Sequence, residues 1–340
     1  MSISQRKKDH LKIALQKKVE FFNKTSGFEK YDFTHCAVPE LDLNSIDIST
    51  VFLNKKVSAP LMVTGITGGC REALKINKAI AEACSEQLIA VGVGSERQLF
   101  ESSEFIESYR IVRTSAPNVP VIGNIGAAQL VSVKSFDKIK NLTDVIEADA
   151  IAVHLNPLQE MLQPEGDVNF KGVLNSIEKL SAQTDIPIIV KEIGCGISKQ
   201  VAEKLYNAGI RYIDIAGAGG TSWAGIESFR QKERELALSF LDWGIPTAES
   251  LRQVRQFKDL HITASGGIRS GIDMAKAIAL GADMCGAALP FLKTAVQSGR
   301  CGLNKMIGLW KDQLKGVLFL TGSQSIKMLR RPGVCVKSNE

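Results

Sequence analysis

His154-x-Asn156-x-x-Gln159-Glu160 gathers an imidazole, two amides and a carboxylate into one short stretch. It leaves the apolar run Ala150-Ile151-Ala152-Val153 and enters a turn at Pro157. Side chains two apart on a strand share a face, so His154 and Asn156 are expected to point together into one interior. Gln159 and Glu160 are then expected on the loop above. One carboxylate with neutral polar neighbours suits a magnesium ion that also takes phosphate oxygens from a substrate. The competing reading is a helix-capping loop with Glu160 on the surface.

Other apolar runs end in glycine-rich or polar clusters. These are Ile66-Thr67-Gly68-Gly69, Gly94-Ser95-Glu96-Arg97, Asn124-Ile125-Gly126, Gly219-Gly220-Thr221, Gly266-Gly267-Ile268-Arg269 and Gly286-Ala287-Ala288-Leu289. Where no Cβ intervenes, backbone N–H groups can approach a phosphate, and a helix start adds a favourable dipole. Gly266, Gly267 and Gly286 are expected to form such a cradle, with Gly219-Gly220-Thr221 closing it from the side. Ordinary turn glycines are the alternative. Lys191 follows Pro187-Ile188-Ile189-Val190, where a lysine can snorkel outward, hold an anion or form a Schiff base. Cys195 has no motif histidine beside it and reads as a small residue in a glycine turn. Near the start, Arg6, Lys7, Lys8, Lys12, Lys17 and Lys18 face only Asp9 and Glu20. That run is either a solvated helix face or an anion-binding one.

These clusters need elements to carry them. Eight apolar or β-rich runs, at 59–64, 88–91, 121–124, 150–154, 187–191, 212–215, 262–264 and 283–287, are each followed by a helix-competent segment. In the first such helix, Leu74, Ile76, Ala79, Ile80 and Ala83 are expected on one side. Continuous apolar character marks strands of a parallel sheet covered on both faces. Gly209 and Gly281 sit where a helix end calls for a left-handed residue. The pattern predicts a (β/α)8 TIM barrel, with a doubly wound open sheet as the alternative. Residues 1–58 are read as an N-terminal helical extension and substrate lid, 59–298 as the barrel and 299–340 as a C-terminal helical tail. Without a Pro/Ser/Gly linker, they form one domain.

Of 340 residues, 44% are hydrophobic and 23% charged, which excludes a disordered chain. No apolar run is long enough to span a membrane, and the first ten residues lack the apolar core of a secretion signal. The 7 cysteines form no C-x-x-C pair, so neither a disulfide framework nor a zinc site is implied, and a cytoplasmic location is expected. A net charge of +6 favours anionic partners. The pI near 8.8 lies below what a nucleic-acid domain calls for.

Taken in order, the motifs resemble those of the type 2 isopentenyl diphosphate isomerase family. They are Arg6-Lys7-x-x-His10, Thr67-Gly68-Gly69, Gly94-Ser95-x-Arg97, Asn124-Ile125-Gly126, His154-x-Asn156-x-x-Gln159-Glu160 and Pro164-Glu165-Gly166-Asp167. Val190-Lys191-Glu192, Gly219-Gly220-Thr221, Trp243-Gly244-Ile245 and Ser265-Gly266-Gly267 complete the series. The resemblance implies a barrel that binds FMN, magnesium and a small diphosphate, uses NADPH to reduce the flavin, and interconverts isopentenyl and dimethylallyl diphosphate. It implies FMN contacts from Ile66, Thr67, Gly68, Ser95, Asn124, Lys191, Ala216, Thr221, Gly266, Gly267, Ile268, Ala288 and Leu289. Substrate contacts would come from Arg6, Lys7, His10, Ser95, Arg97 and Gln159, magnesium would sit on Glu160, and catalysis would fall to Gln159, His154 and Asn156. A homo-oligomer, tetramer or octamer, is implied as well. The same-scaffold rival is an FMN-dependent 2-hydroxy-acid oxidoreductase, which needs a histidine base and an arginine pair in the later loops; a non-catalytic phosphate-ligand binder is the other. Ala216 departs from the family's usual Ser or Gly, which puts a side-chain hydrogen bond to the flavin in doubt.

Overall fold

The computed structural model describes residues 3–133, 135–231 and 234–338. Met1, Ser2, Asn339 and Glu340, at the ends of the expected extension and tail, lie outside that range. Eight parallel strands close into a barrel: β1 (Leu61–Val63), β2 (Ala90–Gly92), β3 (Val121–Gly126), β4 (Ala150–His154), β5 (Ile188–Lys191), β6 (Tyr212–Asp214), β7 (His261–Ser265) and β8 (Met284–Ala287). Each strand pairs with its sequence neighbour, and β8 returns to β1 through Cys285–Leu61, Gly286–Met62 and Ala287–Val63. The open-sheet alternative is thereby excluded.

The near-continuous apolar runs become strands because both faces are covered. Leu61, Val63 and Val91 pack outward in the main core, while Met62, Ala90, Ile122, Ala152 and Ile189 form an inner layer. A hairpin of Thr50–Phe52 and Lys55–Val57 stops the inner layer from below, where Phe52, Leu53 and Val57 pack into it. His261 belongs to that end and stacks against Phe52 and Tyr212. The second run begins two residues later than its apolar start because Leu88 caps helix Arg71–Gln87 in a left-handed conformation. That helix buries Ala73, Ile76, Ile80 and Ala83, whereas Leu74, expected inward, is 42% exposed. Gly209 and Gly281 take the left-handed conformation expected at helix ends, with φ of 88° and 111°.

The flanks are more varied than helices alone. Helix α1 (Ile3–Gln16) buries Arg6, Leu11 and Ala14. Tyr31–Phe33 pairs antiparallel with Cys335–Lys337, tying the two ends of the chain together. The helix after β8 runs from Leu289 to Leu320 and is interrupted by the non-helical Gly299.

One register sets up the chemistry. Gly126 of β3 lies beside His154 of β4, His154 beside Lys191 of β5, and Lys191 beside Asp214 of β6. Polar side chains separated by many residues in sequence thus form one row at the C-terminal rim, where barrel sites are built.

Candidate active site

Every residue that the family resemblance assigned to substrate, cofactor, metal or catalysis lines one cavity at that rim. Arg6, Lys7 and His10 enter from α1; Ile66, Thr67 and Gly68 follow β1; Ser95 and Arg97 follow β2; Asn124 lies in β3. His154, Asn156, Gln159 and Glu160 come from β4 and the turn after it, and Lys191 from β5. Ala216 and Thr221 follow β6, Gly266, Gly267 and Ile268 follow β7, and Ala288 and Leu289 follow β8. Among the described residues the charged walls are Arg6, Lys7, Arg97, Lys191 and Arg269 against the single carboxylate Glu160. A cleft so biased concentrates anions.

The β4 end is more ordered than a loop. Pro157 opens a short helix, Pro157–Leu162, at the position where its missing N–H costs nothing, and that helix carries Gln159 and Glu160. Both are buried, so Glu160 is not the surface residue of the competing reading. Its Oε1 accepts from Asn156 Nδ2 at 2.9 Å; its Oε2 accepts from Gln163 Nε2 at 2.5 Å and from the Asp167 backbone at 2.7 Å. Asn156 Nδ2 also donates to Gln159 Oε1 at 3.1 Å. The buried carbonyl oxygens of Asn156 and Gln163 have no partner.

His154 Nδ1 lies 2.8 Å from Asn124 Oδ1. Burial, reinforced by the positive field of Lys191, Lys7, Arg97 and Arg6, pushes the imidazole down to about 3, so it is neutral at physiological pH. Beneath this pair Glu96 is fully buried; its Oε2 accepts from the Asn124 backbone N–H at 2.8 Å and its Oε1 has no partner. Burial raises the Glu96 carboxyl to about 8. Lys191 Nζ donates to the Glu192 carbonyl at 2.6 Å and stands 3.7 Å from Asp214 Oδ2. Asp214 is itself held by Ser265 Oγ at 2.6 Å. Lys7 Nζ donates to Tyr109 Oη at 2.7 Å and also to the Ser95 carbonyl. Burial lowers its ammonium to about 7.

The glycine cradle is only partly as expected. Gly266 and Gly267 have φ of 95° and 77° and line the cavity; a Cβ on Gly266 would stand 2.0 Å from the Gly217 carbonyl. Gly286 does not line it. It sits inside β8, where its missing side chain makes room for Thr64 Cγ2, 2.5 Å from an added Cβ. Gly220 and Thr221 reach the cavity, while Gly219 opens into a neighbouring groove. Trp243, part of one quoted motif, is 60% exposed and lies outside the cavity. Burial raises the Cys195 thiol, in keeping with an inert turn residue.

Sequence reading missed Gln129, Gln163 and Trp223 on the cavity wall, and Tyr109, Glu227 and Arg230 behind it. Gln129 and Trp223 each follow a strand-end glycine cluster, which was the available signal. Nothing local marked Glu227 or Arg230, whose partners lie on other elements.

Residues 133–335 match the FMN-dependent dehydrogenase family. The chain is 45% identical to the isopentenyl-diphosphate delta-isomerase of Nostoc sp., over 96% of this chain and 94% of that one. It is 46% identical to the protein of that name from Pyrococcus furiosus, over 96% and 85%, and 44% identical to that from Pseudescherichia vulneris, over 97% and 96%. Among solved structures, a flavocytochrome b2 variant with sulfite bound superposes with a TM-score of 0.72 at 20% identity, covering 97% of this chain and 83% of that one. A mandelate oxidase variant superposes at 0.65 and 17%, covering 94% and 93%. Those distant likenesses establish the barrel; the near identities over almost the whole chain establish that it belongs to the isopentenyl-diphosphate delta-isomerase family.

Proposed function

We propose that this protein interconverts isopentenyl and dimethylallyl diphosphate, using reduced FMN and magnesium, with NADPH as the reductant of the flavin. The observation that carries the reading is the convergence of Arg6, Lys7 and Arg97 with His154, Asn156, Gln159 and Glu160 on one cavity. The first three are suited to a diphosphate and the others to orienting the group attached to it. The reading further assigns the protein to the cytoplasm, α1 to a substrate lid, and the working form to a homo-oligomer.

The residues present fit FMN. Gly266, Gly267, Ala288 and Leu289 bring close-approaching backbone and the start of the Leu289–Leu320 helix to one end of the cavity, as a phosphate needs. Lys191, with Asp214 behind it, offers a cation farther along, and Ile66, Thr67, Gly68, Ser95, Asn124, Ala216, Thr221 and Ile268 would complete the contacts. They also fit magnesium, because the β4 end offers a carboxylate with an amide oxygen beside it. Glu160 supplies the charge, and the unpartnered carbonyl of Asn156 lies beside it.

Moving the double bond requires a proton added at one carbon and another removed from a different carbon. Reduced FMN, when bound, supplies an electron-rich face that stabilises positive charge at the carbon between them. The chain's own residues do the rest. Arg6, Lys7, His10, Ser95 and Arg97 bind the diphosphate, and Glu160 holds the metal that neutralises it. With the Asn124 amide oxygen facing Nδ1, the neutral His154 ring carries its proton there and leaves Nε2 as an acceptor. Asn156 holds Gln159, and Gln159 orients the reacting end or relays a proton.

The barrel alone also suits a 2-hydroxy-acid oxidoreductase, but the groups that reaction needs are misplaced here. His261 lies at the closed end, His154 ends β4 rather than standing in the later loops, and the β7 and β8 loops bring only Arg269 to the cavity. Turnover in D2O separates the two. Isomerisation puts deuterium into the recovered diphosphates with no NADPH consumed per turnover. Stoichiometric consumption of an oxidant or reductant would overturn the reading.

A further inference from the structure

His10 is gripped by two side chains one helical turn apart. The Glu227 Oε1 lies 2.7 Å from His10 Nε2, and the Trp223 ring meets the imidazole edge-on at 5.2 Å between centroids. Both belong to the short helix Trp223–Ser228, started by Ser222 Oγ accepting from the Gly225 N–H. Positions i and i+4 share a helix face. Glu227 is fully buried, and its second oxygen accepts from Arg230 Nη1 at 2.7 Å. Arg230 Nη2 reaches Glu165 Oε1 at 2.5 Å, and Arg6 Nε stands 3.9 Å from that same oxygen.

We infer that Trp223 and Glu227 form a receptor for His10, and that Arg230 and Glu165 extend it to Arg6, so that this chain of contacts fixes the register of α1 over the cavity. Glu227, Arg230 and Glu165 are positioning residues, since they act through Arg6 and His10. The arrangement follows from what α1 lacks. Its buried apolar residues are Leu11 and Ala14 alone, and it carries no acidic residue in its first turn. Leu11 and Ala14, with Ile13 and Leu15 partly buried against the core, hold the helix near the surface, but apolar contact is non-directional and does not by itself set where the polar side chains fall. The charge chain does set it, because moving α1 would take the buried Arg6 away from Glu165 and His10 away from the fully buried Glu227. Charge alternates along the path from Arg6⁺ through Glu165⁻ and Arg230⁺ to Glu227⁻, so sliding α1 by one turn would break the sequence at both ends.

This inference rests on the reading of Arg6 and His10 as diphosphate contacts, and the experiment separates the two. Glu227→Gln and Glu165→Gln keep shape and remove charge; Glu165 is partly exposed, so its variant tests the idea even if the buried one folds poorly. Flavin content reports the fold. Each variant is expected to raise KM for isopentenyl diphosphate about 10-fold or more with little change in kcat. Trypsin, which cuts after the basic residues of α1, is expected to cleave that helix faster in both variants. In a chain lacking its first ten residues, whose KM is itself expected to be raised by loss of Arg6, Lys7 and His10, Glu227→Gln is expected to add nothing. Unchanged KM and trypsin rates in both variants, or a further KM increase in the truncated chain, would overturn the inference. A wild-type protein that fails to turn over the diphosphate would overturn the substrate reading alone, because the trypsin comparison still decides how α1 is held.

Discussion

Asn124 Oδ1 faces His154 Nδ1 at 2.8 Å, and the Asn124 backbone N–H is in turn held by Glu96, so a buried carboxyl in the β2 loop seats a histidine two strands away. The histidine is held neutral, with its value pushed from the usual 6.5 to about 3 by burial and by the cations around it. Folding therefore excludes a proton that the unfolded chain would bind below pH 6.5. Stability contributed by this group is full above that pH and is lost as pH falls toward 3. Between pH 7 and pH 5 the melting temperature of His154→Gln is expected to fall less than that of the unaltered protein. Parallel curves would show that His154 titrates normally.

Lys191, a flavin contact under the proposed function, is fixed by its register beside His154 and by Asp214, 3.7 Å from its ammonium. Lys191→Ala removes a charged donor from the cavity and leaves Asp214 buried without its cation. Hydrogen bonds to charged groups are worth ~1.5–3 kcal/mol, so FMN affinity is expected to fall roughly 10- to 150-fold. Fluorescence titration of the flavin measures this. Unchanged affinity would take Lys191 out of the cofactor contacts.

Gln159 and Glu160 are adjacent and both buried, yet the proposed function gives them different work. Among the described residues Glu160 is the cavity's only carboxylate, while Gln159 Oε1 is held by Asn156. Glu160→Gln keeps the shape and removes the charge, so the magnesium needed for half-maximal activity is expected to rise, with partial rescue at high metal. Gln159→Ala is expected to lower kcat with little change in magnesium demand, by ~10²–10⁴-fold if the amide takes part in proton transfer. Flavin content and melting temperature on both variants expose any collapse of the Pro157–Leu162 helix. Identical magnesium dependence in the two would refute the division of labour.

The barrel was legible because each strand is covered on both sides and so reads as an unbroken apolar run; β4, Ala150–His154, has its expected limits. The cavity residues were legible by the same logic, since a parallel barrel brings every strand end to one rim. Gly286 misled because a glycine near a strand end looks alike whether it admits a ligand or, as here, the methyl of Thr64. The pairing of Tyr31–Phe33 with Cys335–Lys337 was invisible, because three-residue strands carry almost no periodicity and their partners lie at opposite ends of the chain. Glu227 and Arg230 were missed for a related reason. Their meaning lies in His10 and Glu165, contacts that exist only once α1 and the β4 loop are folded against the same short helix.

The central claim is that a redox cofactor serves a reaction with no net redox change. Its most direct test is the rate of isopentenyl diphosphate isomerisation by the FMN-loaded protein with magnesium, measured anaerobically with the flavin oxidised and then reduced. The account predicts dimethylallyl diphosphate only after reduction, with the rate returning to baseline on reoxidation. Undiminished activity with oxidised flavin would contradict it.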